Sequence, residues 1–375
     1  MATERYTYID NIRIWMTVLV ILHHAAVTYG APGGWYYSEK GDSLLVGLIL
    51  TVFVATNQAF FMGFFFFLSS FFIPASYEKK GSIKFILDRL KRLGVPLIFY
   101  TLILGPATIY IAIRYGNHMQ LSFSDYYFHK EEWIDFGVLW FTAALLVFTF
   151  VYWIVRKWKE GKPAPFIQKS LPGNRTIFLF ALALGLITFS VRIFFNIGWT
   201  LKPLGFQFAH FTQYIALFII GIIAYQNNWL QSITYEKGVF WRRIAVLLLV
   251  IGFPCMYALK ILTNSPLEAF QGGMTIQSLF NSLWEQLMGI SVILAFLGIA
   301  SVKSTQQKAS GKEMSRSAYA AYIIHPLILV SISVLLQDIH LNLLLKFLIA
   351  GCIAVIATFA LSYVVVRLPL VKEVV

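Results

Sequence analysis

Ten apolar runs, each close to the length that crosses a bilayer, succeed one another along this chain. They fall at about 11–29, 44–73, 93–113, 137–155, 176–195, 208–225, 244–262, 278–302, 318–336 and 343–366. About 20 mostly apolar residues in a helix span the hydrocarbon layer. The runs are continuous rather than alternating, and an open sheet edge in lipid would leave backbone groups without partners. The pattern predicts an all-α integral membrane protein, a bundle of ten transmembrane helices. The second run is long for one crossing and should tilt, or begin as an interfacial segment before Asn57 and Gln58. Only 13% of residues are charged, about half the share of a soluble domain, which excludes disorder and a soluble core of ordinary composition. The first run keeps Arg13 and two histidines and has no small-residue cleavage site, so it reads as a span and not a signal peptide. No linker or internal repeat is visible, and residues 1–375 read as a single transmembrane domain without a fused extracytoplasmic domain.

The net charge of +13 would suit a nucleic-acid partner, but its distribution argues against one. Of the 30 Lys and Arg, 22 lie in the N-terminus, the C-terminus and the segments 74–92, 156–175, 226–243 and 303–317. Seven, Lys40, Arg114, Lys130, Arg192, Lys202, Lys260 and Lys346, lie in the alternate loops or at the ends of the runs that adjoin them, and Arg13 is inside the first run. Positive residues accumulate on the cytoplasmic side. The split therefore predicts cytoplasmic N- and C-termini in a multi-pass protein of the cell (plasma or inner) membrane. The outer loops hold acidic residues, among them Glu39, Asp42, Glu131 and Asp135, and so are near neutral. Trp35, Tyr36 and Tyr37, with Tyr126, Tyr127 and Trp133, read as an outer aromatic belt. Cys255 and Cys352 lie within apolar runs and read as packing residues. Phe64 to Phe67 read as lipid-facing or packing surface.

Ionisable groups inside a span are costly and mark candidate sites. Arg13 and His24 are eleven residues apart, about three helical turns, and so share one helix face with an axial separation of roughly 16 Å. His23 is turned about 100° away. A cation at the inner mouth and an imidazole in the outer half would suit a long ligand with an anionic head and a reactive tail. The plainer alternative has Arg13 snorkelling to the interface and His24 bonding a neighbouring helix. Glu285, about seven residues into the eighth run, should lie at the depth of His24. It would either orient that imidazole, as an acid does in hydrolytic triads, or be a glutamate in a water-filled funnel or a structural pair with Arg192. His210 opens the sixth run at the outer face. Arg89 and Arg92, three apart after the second run, are placed to form a phosphate clamp with Arg13, or serve only topology and anionic lipid contact. No metal-ligand spacing, phosphate loop or nucleophile elbow occurs.

The chain resembles the acyltransferase-3 family of membrane acyltransferases, and within it the glucan-biosynthesis-C-like branch. Tyr8-Ile-Asp10-Asn-Ile-Arg13, ten residues and His24 are similar to the family's opening signature. Phe67-Leu-Ser-Ser-Phe-Phe-Ile, Arg89-Leu-Lys-Arg92 with Pro96, and Leu139-Trp140-Phe141 follow in order. Phe218-Ile-Ile-Gly221 with Tyr225, and Tyr322-Ile-Ile-His325-Pro326, match later landmarks. Ser70 stands where many members have glycine. The resemblance implies an enzyme that takes an acyl group from a cytoplasmic acyl-CoA, acetyl-CoA or succinyl-CoA, and transfers it to a hydroxyl of an extracytoplasmic or membrane-associated carbohydrate. It implies His24 as the central catalytic residue and Arg13, Arg89 and Arg92 as donor-binding residues. Acyl-CoA is a co-substrate; no permanently bound cofactor is expected, and the oligomeric state is left open. The expected mechanism has His24 as general base, with an acyl-histidine as the second version. Glu285 is carried as a second catalytic candidate, and Asp10, Trp140, Tyr322 and His325 as supporting residues. Trp140, Asn57 and Tyr322 are the candidate oxyanion donors. The competing class is a transporter or flippase for an envelope glycan with His24 and Glu285 as a proton relay. Such proteins more often show inverted repeats and matched broken spans, which this sequence lacks.

Overall fold

The structure, a computed structural model, describes residues 6–41, 43–130, 132–159 and 168–374. Asp42, Glu131 and residues 160–167 of the basic 156–175 segment lie outside the described residues. Ten helical spans follow one another: α1 Thr7–Thr28, α2 Leu44–Lys80, α3 Ser82–Gly116, α4 Gly137–Lys159, α5 Asn174–Phe194, α6 Phe208–Gln226, α7 Tyr235–Leu262, α8 Ile276–Lys303, α9 Ala309–Leu335 and α10 Leu343–Val365. Among the described residues the only β-type pairing is one isolated bridge, Leu201 to Phe206. The expected all-helical, ten-span architecture is therefore what the chain forms.

Three spans begin well before their apolar runs: α3 at Ser82, α7 at Tyr235 and α9 at Ala309. Each extension carries basic residues, such as Lys84 and Arg89, Arg242 and Arg243, or Lys312 and Arg316. A helix once nucleated gains a bond per residue, so it continues past the point where hydropathy stops. Side-chain caps fix three starts, that of α7 among them. Ser43 accepts from Val46 N, Thr234 from Lys237 N and Thr275 from Ser278 N, each satisfying a first-turn donor.

Prolines are accommodated in a regular way. Pro96, Pro106 and Pro254 each follow a π-helical turn, at Leu90–Gly94, Tyr100–Leu104 and Leu248–Gly252. Proline has no N–H, and its ring crowds the carbonyl four residues back. A wider turn relieves that crowding without ending the helix. The long α2 instead breaks at Ala59 and Phe60, next to the expected Asn57–Gln58 point. Gln213 Nε2 of α6 donates to the freed Ala59 carbonyl at 2.8 Å. Gly289 of α8 lies so close to that carbonyl that a Cβ would collide with it.

α1 is central, packed against α2, α8, α9 and α10. α9 is the most buried span and α7 the least. Phe64, Phe66 and Phe67 of α2 are buried in the main core and do not face lipid. Ser70 is also buried, set directly against Gly221 of α6. The missing Cβ is thus on α6, and the two small residues still let the helices close. Two expectations are corrected. Cys255 and Cys352 are exposed on the bundle's outer surface and are not packing residues. Trp35, Tyr36 and Tyr37 do not form an outer belt, because their loop folds back into the bundle and packs onto the core.

Candidate active site

The bundle contains a cavity of about 810 Å³ between α1, α2, α4, α6, α8 and α9. From α1 it takes Val20, His23, His24 and Val27, and its mouth is formed by the loops that follow α1 and α5, including Gly33, Gly34 and Gly198. It lies toward the end of the bundle opposite the N-terminus of α1. Along α1 it stops at Val20. Nearer the start of α1, Ile9, Ile12 and Met16 belong to the same buried core as Phe60, Phe64 and Phe66.

His24 forms one wall. Its Nδ1 lies 3.0 Å from Nε2 of His325 on α9. His325 is fully buried, and its own Nδ1 lies 2.7 Å from the Tyr322 carbonyl oxygen. Trp35 stacks on the His24 ring at 4.1 Å between centroids and 14° between planes. Its loop is pinned from two sides. Tyr36 and Tyr100 share a hydroxyl–hydroxyl bond of 2.6 Å, and Lys346 of α10 donates to Glu39 at 2.6 Å. Gly137, with φ of +45°, sits against the Tyr36 hydroxyl where a side chain would not fit. His23 also faces the cavity and stacks on Phe61 at 4.8 Å. Trp140 lines the cavity and stacks on Tyr214 at 5.5 Å.

Glu285 lines a different wall and does not orient His24. Its carboxylate accepts from Arg192 at 2.7 Å and lies 3.1 Å from Nδ1 of His210. Arg192, on α5, is completely buried and also donates to Ala209 O at 3.2 Å and Ser282 Oγ at 3.4 Å. The alternative reading, a structural pair with Arg192, is the one the geometry has. The imidazole that Glu285 was expected to hold is bonded to His325 instead. Tyr322 lines the cavity, but its hydroxyl is donated to the Val138 carbonyl, which occupies it as an oxyanion donor. Asn57 is buried with Nδ2 unpartnered and is not among the cavity-lining residues.

The three arginines lie at the end of the bundle where α1 begins, and they are held separately. Arg13 lies 3.4 Å from Asp10 and over the Phe72 ring at 4.9 Å. Arg92 lies 3.2 Å from Asp88, and Arg89 sits over Phe85 at 5.3 Å with Nε buried and unpartnered. No contact joins Arg13 to Arg89 or Arg92 among the described residues, so no clamp is closed. Trp35 and His325 are what sequence reasoning undervalued. Trp35 was hidden by its likeness to an interfacial aromatic, although the Pro-Gly-Gly turn before it was a signal that the chain turns back. His325 sits 301 positions from His24, beyond the reach of any helical spacing rule.

Ten helices long and apolar enough to cross a membrane, with a cavity enclosed between them, define a multi-pass membrane protein. The chain belongs to the acyltransferase-3 family: the family model, described as an acyltransferase domain, matches residues 6–367. It is thus a multi-span member of that family. Glucans biosynthesis protein C of Salmonella schwarzengrund (strain CVM19633) is 24% identical over 234 residues, which covers 60% of this chain and 59% of that protein. Its counterparts in Salmonella paratyphi B (strain ATCC BAA-1250 / SPB7) and Salmonella dublin match to the same extent. The match spans about three fifths of the length of these curated relatives. No solved structure matches the chain.

Proposed function

We propose that this protein is an O-acyltransferase that moves an acetyl or succinyl group from a cytoplasmic acyl-CoA to a carbohydrate hydroxyl on the far side of the cell membrane, with His24 as general base. The observation that carries the reading is the His24 ring itself, which lines a cavity with one nitrogen bonded to His325 and one face covered by Trp35. An imidazole so held is oriented, and its second nitrogen is left to take a proton from a bound hydroxyl. The acceptor oxygen then attacks the thioester carbonyl, the C–S bond breaks, and the proton passes from His24 to the departing thiolate.

The basic end of the bundle supplies the donor half of the reading. With the termini cytoplasmic, Arg13, Arg89 and Arg92 face the compartment that holds acyl-CoA, and guanidinium groups match phosphate oxygens. Asp10 holds Arg13 in readiness. The relatives' name, glucans biosynthesis protein C, favours a glucan as acceptor. The cavity is wide enough for a sugar, and its polar lining from Asp135, Gln207 and Gln271 suits hydroxyl groups.

The decisive assay follows free CoA release by the purified protein with acetyl-CoA or succinyl-CoA and a glucan acceptor. Turnover that requires His24 supports the proposal. Glycan movement across a vesicle membrane without thiol release would replace it with transport. Mass spectrometry of envelope carbohydrate from cells with and without the protein identifies the acyl group and its acceptor.

A further inference from the structure

We infer that His325 is a positioning residue that fixes which nitrogen of His24 carries the proton, and that Pro326 is what frees it to do so. The inference deepens the proposed function and rests on His24 acting as the base.

The argument begins with the helix ladder. In α9 the N–H of residue 326 would bond the carbonyl of Tyr322, four residues back. Pro326 has no N–H, so that carbonyl is left for another donor. At Pro96, Pro106 and Pro254 the helix answers with a π turn. α9 does not; it runs on through Pro326, and His325 Nδ1 lies 2.7 Å from Tyr322 O instead. A carbonyl oxygen only accepts, so Nδ1 of His325 carries a hydrogen. A neutral imidazole has a single N–H, so Nε2 of His325 presents a lone pair. That lone pair is 3.0 Å from Nδ1 of His24. Two lone pairs at this distance repel, so His24 Nδ1 is the donor and its Nε2 is bare. A doubly protonated His325 would escape this logic, but it would be a completely buried cation with no carboxylate partner among the described residues, a costly state.

The sequence Tyr322-Ile-Ile-His325-Pro326 therefore sets a chain of single-direction bonds that ends at the catalytic nitrogen. Proline vacates the carbonyl, the carbonyl orders His325, and His325 orders His24. Without the acceptor at His325 the His24 ring keeps only its backbone hydrogen bond with Val20, so a share of it places the proton on Nε2, and in that tautomer the cavity-lining ring has no base to offer there. His325 touches no reacting atom in this scheme and acts only through His24.

Nitrogen-15 spectra of ring-labelled histidine in the full chain, reconstituted in nanodiscs, test this directly. Signals are assigned by loss in His24→Ala and His325→Phe. The expected wild-type result is His24 protonated at Nδ1 and bare at Nε2, with a mixture of tautomers in His325→Phe. In kinetics, His325→Phe should lower kcat by on the order of 10²-fold, the lower range for losing a positioned base, with the acyl-CoA KM unchanged. His325→Gln, whose amide oxygen reaches the former Nε2 position, should recover about tenfold of that loss, since it restores an acceptor. Should His325→Phe fail to fold, Pro326→Ala serves instead: it returns an N–H to Tyr322 O and should lower kcat while leaving the helix intact. A wild-type His24 protonated on Nε2, or full kcat in the Phe or Ala variant, would overturn the inference. Normal turnover by His24→Ala is a separate failure, that of the base assignment, and the wild-type spectrum would still decide the tautomer.

Discussion

The His24–His325 pair and the Arg192–Glu285–His210 cluster border one cavity and keep their polar atoms buried by opposite means. The cluster pairs opposite charges: a guanidinium lies 2.7 Å from a carboxylate, and the guanidinium also donates to a backbone carbonyl and a serine hydroxyl and lies 3.3 Å from His210 Nδ1. Its members come from α5, α6 and α8, so it ties three helices together. The histidine pair joins α1 to α9 through one hydrogen bond between neutral-capable rings, and leaves a nitrogen over. A fully matched set of charges gains nothing from further partners, whereas an imidazole with a spare nitrogen is still able to react. On the proposed function, the difference separates a cluster that ties helices together from a ring that takes part in the reaction.

The sharpest way to break this comparison is His24→Ala. Acyl transfer should fall by about 10²- to 10⁴-fold, the range for loss of a general base, while the melting temperature in detergent stays close to wild type. Unchanged turnover would remove His24 from the chemistry. Glu285→Ala should do the reverse. It strands a buried guanidinium, which costs about 3–5 kcal/mol, so the folded fraction recovered by size-exclusion chromatography should drop sharply. Arg192→Met combined with Glu285→Leu should recover much of that loss, because an apolar pair leaves no orphan charge. A stable Glu285→Ala protein without activity would move Glu285 into the catalytic group.

Smaller effects sharpen the picture at the other end. Arg89→Ala with Arg92→Ala should raise the acyl-CoA KM about tenfold, near 1.4 kcal/mol, with kcat nearly constant. Identical donor saturation curves would leave these arginines a topological role alone. Trp35→Ala removes the ring stacked on His24, an interaction of about 0.5–1.5 kcal/mol beyond its buried area. A few-fold loss of kcat with normal folding is expected, and no change in kcat would make Trp35 a mere cover.

Why the sequence revealed some of this and not the rest follows from what hydropathy measures. An apolar run reports how deep a residue sits, because its length is tied to bilayer thickness. Hence the ten spans, and the oddity of Arg13, His24 and Glu285, were legible. Depth says nothing about position around the bundle. Glu285 and His24 were paired because they share a level, yet they belong to separate walls of the cavity. Arg192, in the loop-end count as one more outer cation, proved to be completely buried. Helix starts at Ser82, Tyr235 and Ala309 were missed for the opposite reason, since backbone bonding continues where hydrophobicity has ended.

One feature of the core reaches beyond catalysis. Ile9, Ile12 and Met16 of α1 are buried in the same core as Phe60, Phe64 and Phe66, and none of the six lines the cavity. On the proposed function, a thioester passing from Arg13 to His24 has to part this buried core, which then closes behind it.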